Sequence, residues 1–483
     1  MDLFLTISIG EIKLKTSVID SLKSIFLPES IAVVGASNTP GKWGYSMISR
    51  PVESGYRGKI YPVNPRADKV YGIKAYSKIS DLPEAVDLAI FTIPAVLVPG
   101  AVKECMDKGI KAGIVISAGF AEIGPKGEAL QNELVEVARK GDFRFIGPNC
   151  MGVWSSPVRL NTAFHFKPEP GGITFLSQSG TMGGYLLETA NNKGYGFHTF
   201  VSVGNQGDLS MADYLEYFGQ DDLTKVIVLY IEGLKDSARF LKNAREVVKK
   251  KPIIVYKAGR TQDGARATMS HTASIAGSDA IFEAACKQAG IIRVYDVIHA
   301  FDLAEALSKQ PLPKGKRVAI VSGGGGHCVV TTDACASYGL EVPELDKKTV
   351  DEIQALLLPH APIPKNPIDM AADNRPETIK KILKILAKHP DVDAIITATN
   401  FLRNLNDPEV LKLKTDITMM VSGIPKKYGK PLIATMHRSQ MEGVLFDFMK
   451  AQGIPFYEFP EEASRAVYGL CRYAEIKKSF QQE

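Results

Sequence analysis

Ser30-Ile-Ala-Val-Val-Gly35-Ala-Ser-Asn-Thr-Pro-Gly41-Lys-Trp-Gly44 decides the fold. Ile31 to Val34 are apolar without alternation, so the strand they form is covered on both faces, as strands of parallel sheets are. Gly35 ends it in a tight turn, and glycines in such a turn let backbone amides at a helix N-terminus approach a phosphate. Gly35, Ala36, Ser37, Lys42 and Gly44 are therefore candidate ligand-binding residues. Lys42 adds a charge that can face a 3′-phosphate or a pyrophosphate. The spacing is not Gly-x-Gly-x-x-Gly, and the next strand ends in Tyr61-Pro-Val-Asn64-Pro65 with no acid to grip a ribose 2′-hydroxyl. Both features argue against NAD and for another adenosine-containing ligand.

The same alternation continues outward. Lys59–Asn64, Asp87–Ile93, Ala112–Ser117 and Phe143–Asn149 read as further strands of one doubly wound sheet. Its carboxyl edge collects Asn64, Pro94, Pro148 and Asn149 beside the glycine turn. A second α/β unit carries strands at Ile173–Ser177, His198–Val203, Val226–Ile231 and Ile253–Tyr256. After Gln310-Pro-Leu-Pro-Lys-Gly315, a third carries Arg317–Ser322, Ala394–Ala398 and Pro431–Thr435. The expected class is α/β with three parallel-sheet domains, a Rossmann-like one and two flavodoxin-like ones, over 1–153 (with an extension at 1–20), 154–309 and 310–483.

Composition agrees with that class. The 483 residues allow about three domains. A hydrophobic share of 45%, a charged share of 23% and 42 glycines suit an α/β protein rich in strand–helix turns. The net charge of +5 comes without a basic arm, which points away from nucleic acid but permits small anionic ligands. Apolar runs are strand-sized, which argues against a membrane span. Met1–Gly10 lacks the regions of a signal peptide. Cys105, Cys150, Cys286, Cys328, Cys335 and Cys471 have no metal-ligand spacing and suit a reducing cytoplasm.

Chemistry concentrates in the second unit. Leu176-Ser177-Gln178-Ser179-Gly180-Thr181 follows a strand and opens a helix, so Gln178, Ser179, Gly180 and Thr181 make a candidate phosphate site; Ser179 caps the helix in any case. The run lacks Gly-x-Ser-x-Gly and is not a nucleophile elbow. Glu232 lies at the carboxyl end of the strand Val226–Ile231, where open sheets place ligands. Met269-Ser270-His271-Thr272-Ala273, within a small-residue run from Thr268 to Gly277, has no apolar period and reads as a loop. Its imidazole can be a nucleophile, a general base or a metal ligand, or can simply bond a neighbouring hydroxyl. A carboxylate on one ring nitrogen would leave the other nucleophilic, and Glu232 is the candidate for that role. Gly323–Gly326 with His327, and the polar loop Asn366–Asp373, are weaker pointers to an anion site and a rim.

Together these segments resemble the NDP-forming acyl-CoA synthetases, relatives of the α subunit of succinyl-CoA synthetase. The carriers are Val34-Gly-Ala-Ser37 with Gly41-Lys42 and Gly44, Tyr61–Pro65, Ile116-Ser-Ala-Gly-Phe120, Ile146–Gly152, Ser177–Thr181, Val203-Gly-Asn-Gln206, Tyr230–Gly233 and Ser270–Ala273. The domain order resembles that of α subunits of archaeal-type ADP-forming acetate–CoA ligases. The resemblance implies that phosphate attacks an acyl-CoA thioester and that His271 takes the phosphoryl group from the acyl phosphate and delivers it to ADP. By the same resemblance, Glu232 is expected to stabilise the phosphohistidine. It further implies CoA as substrate, Mg²⁺ with ADP or ATP on a separate ATP-grasp β subunit, and an α2β2 heterotetramer, since no ATP-grasp segment is found here. A non-catalytic CoA-sensing module is the rival reading; such relatives tend to lack the histidine, which this chain keeps. A nicotinamide dehydrogenase is disfavoured by the missing fingerprint.

Overall fold

The computed structural model describes residues 18–272, 278–373, 375–398, 415, 419, 421–437 and 444–482, without the side chains of residues 268–272, 444 and 445. Most of the expected extension, 1–17, and residues 273–277 of the expected loop lie outside the described residues. The chain divides into two compact units, Met1–Val297 and Ile298–Glu483.

The first unit holds two sheets. In the first, β1 (Ser30–Val34), β2 (Lys59–Val63), β3 (Leu88–Phe91), β4 (Ala112–Val115) and β5 (Arg144–Ile146) run parallel in the order β2-β1-β3-β4-β5. All five β1 residues are buried, as the unbroken apolar run requires. Phe91, Phe143 and Phe145 fill one core face with Val98, Val102 and Leu134, each fully buried side chain worth roughly 1.5–3 kcal/mol. Asp87 Oδ2 accepts from the Glu29 and Ser30 amides at 2.9 and 3.0 Å, tying β3 to the start of β1. The strand order reverses between β1 and β3, which opens a crevice at their carboxyl ends. α1 (Trp43–Ser54) follows β1.

The second sheet comprises β6 (Val153–Ser155), β7 (Leu160–Asn161), β8 (Pro170–Ser177), β9 (Phe197–Ser202), β10 (Val226–Ile231), β11 (Ile253–Lys257) and β12 (Ile292–Val294) in the order β12-β11-β10-β8-β9-β6-β7. Its core is parallel and again reverses, here between β8 and β10. β6 and β7 add an antiparallel edge. They escape a sequence reading because each spans only two or three residues and owes its pairing to a neighbour, β6 to β9 and β7 to β6. α2 (Gly180–Asn192) follows β8, and α3 (Gln262–Thr272) follows β11. α3 corrects the expected loop: its backbone is helical through Thr272 and so includes His271. Ala265, Arg266, Ala267 and Met269 are strong helix formers, and exposure at Arg266 and Ala267 removes the need for an apolar stripe.

The second unit repeats the plan with β13 (Val318–Ser322), β14 (Ile368–Asp369), β15 (Ala394–Ala398), β16 (Leu432–Thr435) and β17 (Phe456–Tyr457), all parallel in the order β14-β13-β15-β16-β17. Gln310 is anchored within this unit: its amide accepts from Leu432 N–H at 2.9 Å and donates to Gly453 C=O at 2.7 Å. The six cysteines are buried free thiols. Among the described residues no helix is long and apolar enough to cross a membrane.

One cap in this unit sets a pH dependence. Asp346 accepts from the Thr349 hydroxyl at 2.6 Å, from His389 Nε2 at 2.7 Å and from the Thr349 amide at 3.1 Å. His389 Nδ1 accepts from Asp391 N–H, which fixes the tautomer that donates to Asp346. These bonds, the Thr349 hydroxyl's foremost, hold the Asp346 carboxyl well below the usual carboxylate range. A depressed carboxyl contributes stability that is complete above its unfolded pKa, about 3.9, and is lost as pH falls through the folded value. Asp346→Ala should therefore lower the urea midpoint at pH 7, and the gap to the parent should shrink near pH 3. A gap that is the same at both pH values would mean that the charge of this carboxylate contributes nothing.

Candidate functional site

At the first crevice, β1 and α1 meet in a turn too tight for side chains at two positions. Gly35 has φ +92°, and a Cβ there would stand 2.8 Å from Ile93 Cγ2. A Cβ on Gly44 would stand 2.0 Å from the Gly35 carbonyl oxygen. These glycines are thus required by the packing of α1 on the strand end, which brings the helix N-terminus close to the crevice. Asn64 joins the turn to β2: its amide donates to Ala36 C=O at 2.7 Å, and its Oδ1 accepts from Arg66 N–H at 2.7 Å. Ser37 Oγ accepts from Thr39 N–H at 3.1 Å, and Lys42, at the N-cap of α1, is exposed.

At the second crevice, Ser179 caps α2, its Oγ accepting from Met182 N–H at 3.3 Å. Gly180 and Thr181 begin the helix, where the first amides have no intrahelical partner and the dipole favours an anion. Gln178 behaves differently from its neighbours. Its Oε1 accepts from the Glu232 and Gly233 amides, the latter at 3.0 Å, and its Nε2 donates to Gly233 C=O at 2.7 Å.

Glu232 follows β10 directly and is 5% exposed. Its carbonyl accepts at 2.9 Å from Lys257 Nζ, which also donates to Ala258 C=O at 2.6 Å. Burial lowers the Lys257 ammonium, opposed in part by Asp279. The backbone of His271 lies in α3, and its side chain is outside the described residues.

A cavity of about 1410 Å³ joins the two crevices. Of the residues singled out from sequence, Pro94, Asn149, Gln178, Ser179, Gly180 and Thr181 line it. Gly35, Ala36, Ser37, Lys42, Gly44, Asn64 and Pro148 shape the surrounding turns without lining it, and Glu232 sits behind Gln178 and Gly233. The sheets are stitched across it. Pro148 C=O accepts from Asn205 N–H at 2.9 Å, and Gly147 C=O accepts from Gly207 N–H at 2.9 Å. Asn149 has φ +57° and donates to Asn205 Oδ1 at 3.3 Å. Asn205 in turn donates to Glu122 Oε2 at 2.5 Å, and Lys235 Nζ donates to Asn205 C=O at 2.7 Å. Burial raises the Glu122 carboxyl, but the Gly119 and Phe120 amides and the Asn205 amide outweigh it and hold it low. Trp43, from the glycine turn after β1, also lines the cavity, as do Arg50, Glu122 and Lys235, which carry no local pattern that would single them out in sequence. Asn205 falls within the Val203–Gln206 segment quoted above, so part of this wall was visible.

Comparison with known proteins agrees with this arrangement. Family models match in three segments: a CoA binding domain over residues 29–155, a succinyl-CoA ligase like flavodoxin domain over 170–307, and a ligase-CoA domain over 318–479. The α subunit of ADP-forming acetate–CoA ligase II of Pyrococcus furiosus is 40% identical over 454 residues, covering 94% of this chain and 98% of that subunit. The ADP-forming acetate–CoA ligase of Methanocaldococcus jannaschii is 37% identical over 94% of this chain, which spans 64% of that enzyme. The dinucleotide forming acetyl-coenzyme A synthetase 1 of Ca. Korarchaeum cryptofilum, solved with phosphate and ADP, superimposes with a TM-score of 0.84 at 36% identity, over 96% of this chain and 99% of that one. With the sheet order, the two crevices and these relatives in agreement, the chain belongs to the ADP-forming acyl-CoA synthetase family, alongside the α subunits of the acetate–CoA ligases.

Proposed function

We propose that this chain is the α subunit of an ADP-forming acyl-CoA ligase, with acetyl-CoA as its probe substrate. It interconverts acyl-CoA, phosphate and ADP with the carboxylate, CoA and ATP. The observation that carries this reading is the single cavity joining the carboxyl edge of a CoA-binding sheet, at Pro94 and Asn149, to the N-terminus of α2 at Ser179–Thr181. A thioester held from the first side meets a phosphate held from the second.

Phosphate oxygen attacks the thioester carbonyl, the C–S bond breaks, and CoA leaves as thiolate with acyl phosphate formed. The amides at the start of α2 hold the phosphate and complement its charge. His271 then attacks phosphorus, the P–O bond to the acyl group breaks, and the carboxylate leaves. Glu232 is assigned to the other imidazole nitrogen, where a carboxylate fixes the tautomer and offsets the charge that develops on the ring. α3 carries the histidine on a segment of small residues, which suits a phosphoryl carrier. An ATP-grasp β subunit supplies the ADP site, and Mg²⁺ accompanies the nucleotide there. Relatives of this length named as α subunits, and a longer ligase of which this chain spans 64%, support a nucleotide site lying beyond these 483 residues. An α2β2 assembly in the cytoplasm completes the proposal.

The test is direct. The purified chain should make no ATP from acetyl-CoA, phosphate and ADP, and a cognate ATP-grasp chain should restore synthesis. ATP at full rate from this chain alone would refute the subunit reading. Binding of CoA is read independently from tryptophan emission: of the two tryptophans, Trp154 is fully buried, whereas Trp43 is 44% exposed and lines the cavity. CoA should change that emission and NAD should not.

A further inference from the structure

We propose that Gln178 and Lys257 are positioning residues that hold the Glu232 peptide unit from its two sides, so that the turn assigned to phosphate also aims the carboxylate that the proposed function assigns to the histidine. The proposal rests on the reading of the function above and assigns Gln178 a task other than that of phosphate ligand. Gln178 spans the point where the second sheet reverses, between the ends of β8 and β10. Its orientation is set by its surroundings, since one end of the amide meets two N–H donors and the other a carbonyl. The oxygen therefore belongs toward Glu232 and Gly233, and one N–H is already committed to Gly233 C=O.

Lys257 completes the hold from β11. Its ammonium donates to the Glu232 carbonyl, so the N–H and the C=O of Glu232 are both bound by side chains of neighbouring strands. The side chain of a residue only 5% exposed, on a backbone fixed at both polar groups, has few directions left to it. Gln178 adjoins Ser179, the cap of the anion-binding helix, and both line the cavity; Lys257 does not line it. That difference separates the roles, because a residue outside the cavity wall has no contact with phosphate and acts only through Glu232.

Gln178→Met and Lys257→Met in the full chain, given acetyl-CoA and labelled phosphate, provide the test. Each should lower the maximal rate of phosphoprotein formation by ~10²-fold, the loss that a displaced catalytic group commonly causes. The KM for phosphate and the CoA titration of Trp43 emission should not change. In a Glu232→Gln background neither substitution should lower the rate further. If Gln178→Met fails to fold, Lys257→Met alone decides. A raised phosphate KM at an unchanged maximal rate would return Gln178 to the role of phosphate ligand, and a wild-type rate in Lys257→Met would remove the hold; either result overturns the proposal. A parent chain that takes no label at all would instead overturn the proposed function.

Discussion

His271→Ala should abolish phosphoryl transfer altogether. With acetyl-CoA and labelled phosphate, the parent chain should acquire an acid-labile, base-stable label, and the variant none. CoA binding read at Trp43 should survive, because the turn at Gly35–Gly44 and the wall at Pro94 and Asn149 belong to the first sheet, whereas α3 follows β11 of the second. Phosphorolysis of the thioester should survive in part, since that step draws on the start of α2 more than on an imidazole. Covalent transfer splits one difficult displacement into two, and without the first acceptor the second has no donor. A label persisting in the variant chain would remove His271 from this role. The same variant separates the catalytic reading from that of a CoA-sensing module, in which the histidine would be immaterial.

Glu232→Gln should lower the rate of phosphohistidine formation by ~10²–10³-fold, the range found when one preorganised electrostatic partner is removed. The substitution keeps the size of the side chain and leaves both backbone bonds at this position intact, to Gln178 and to Lys257. The urea midpoint should therefore stay near that of the parent, and the loss should fall on the transfer rate rather than on CoA binding. The physical cause is the imidazole's charge. As phosphorus is attacked the ring becomes cationic, and a carboxylate at the opposite nitrogen offsets this where a neutral amide does not. Turnover at the parent rate in Glu232→Gln would reduce this carboxylate to a structural part of the strand end.

The fold was legible where apolar runs are continuous. Ile31–Val34, Val226–Ile231 and Ala394–Ala398 each lie in central strands whose two faces are covered, and burial on both sides writes itself into sequence without alternation. The short strands Val153–Ser155, Leu160–Asn161, Ile368–Asp369 and Phe456–Tyr457 were not legible, because a strand of two or three residues is defined by its neighbour's hydrogen bonds more than by its own composition. The helix containing His271 shows no period for a related reason: its first residues, Gln262–Ala267, bury no apolar stripe. The site divides the same way. Turn residues such as Gly35, Ser179 and Gly180 announce themselves by backbone chemistry that depends on local sequence. Glu122, Lys235 and Arg50 reach the cavity from distant segments, and only the folded topology brings them to one wall.

Locating the phosphoryl group tests the central claim most directly. The parent chain, incubated with acetyl-CoA and labelled phosphate without nucleotide, is digested under alkaline conditions and the modified peptide sequenced by mass spectrometry. Phosphate on His271, discharged on addition of ADP only when an ATP-grasp chain is present, is the expected result. A chain that binds CoA but remains unmodified, or one labelled at a residue other than His271, would contradict it.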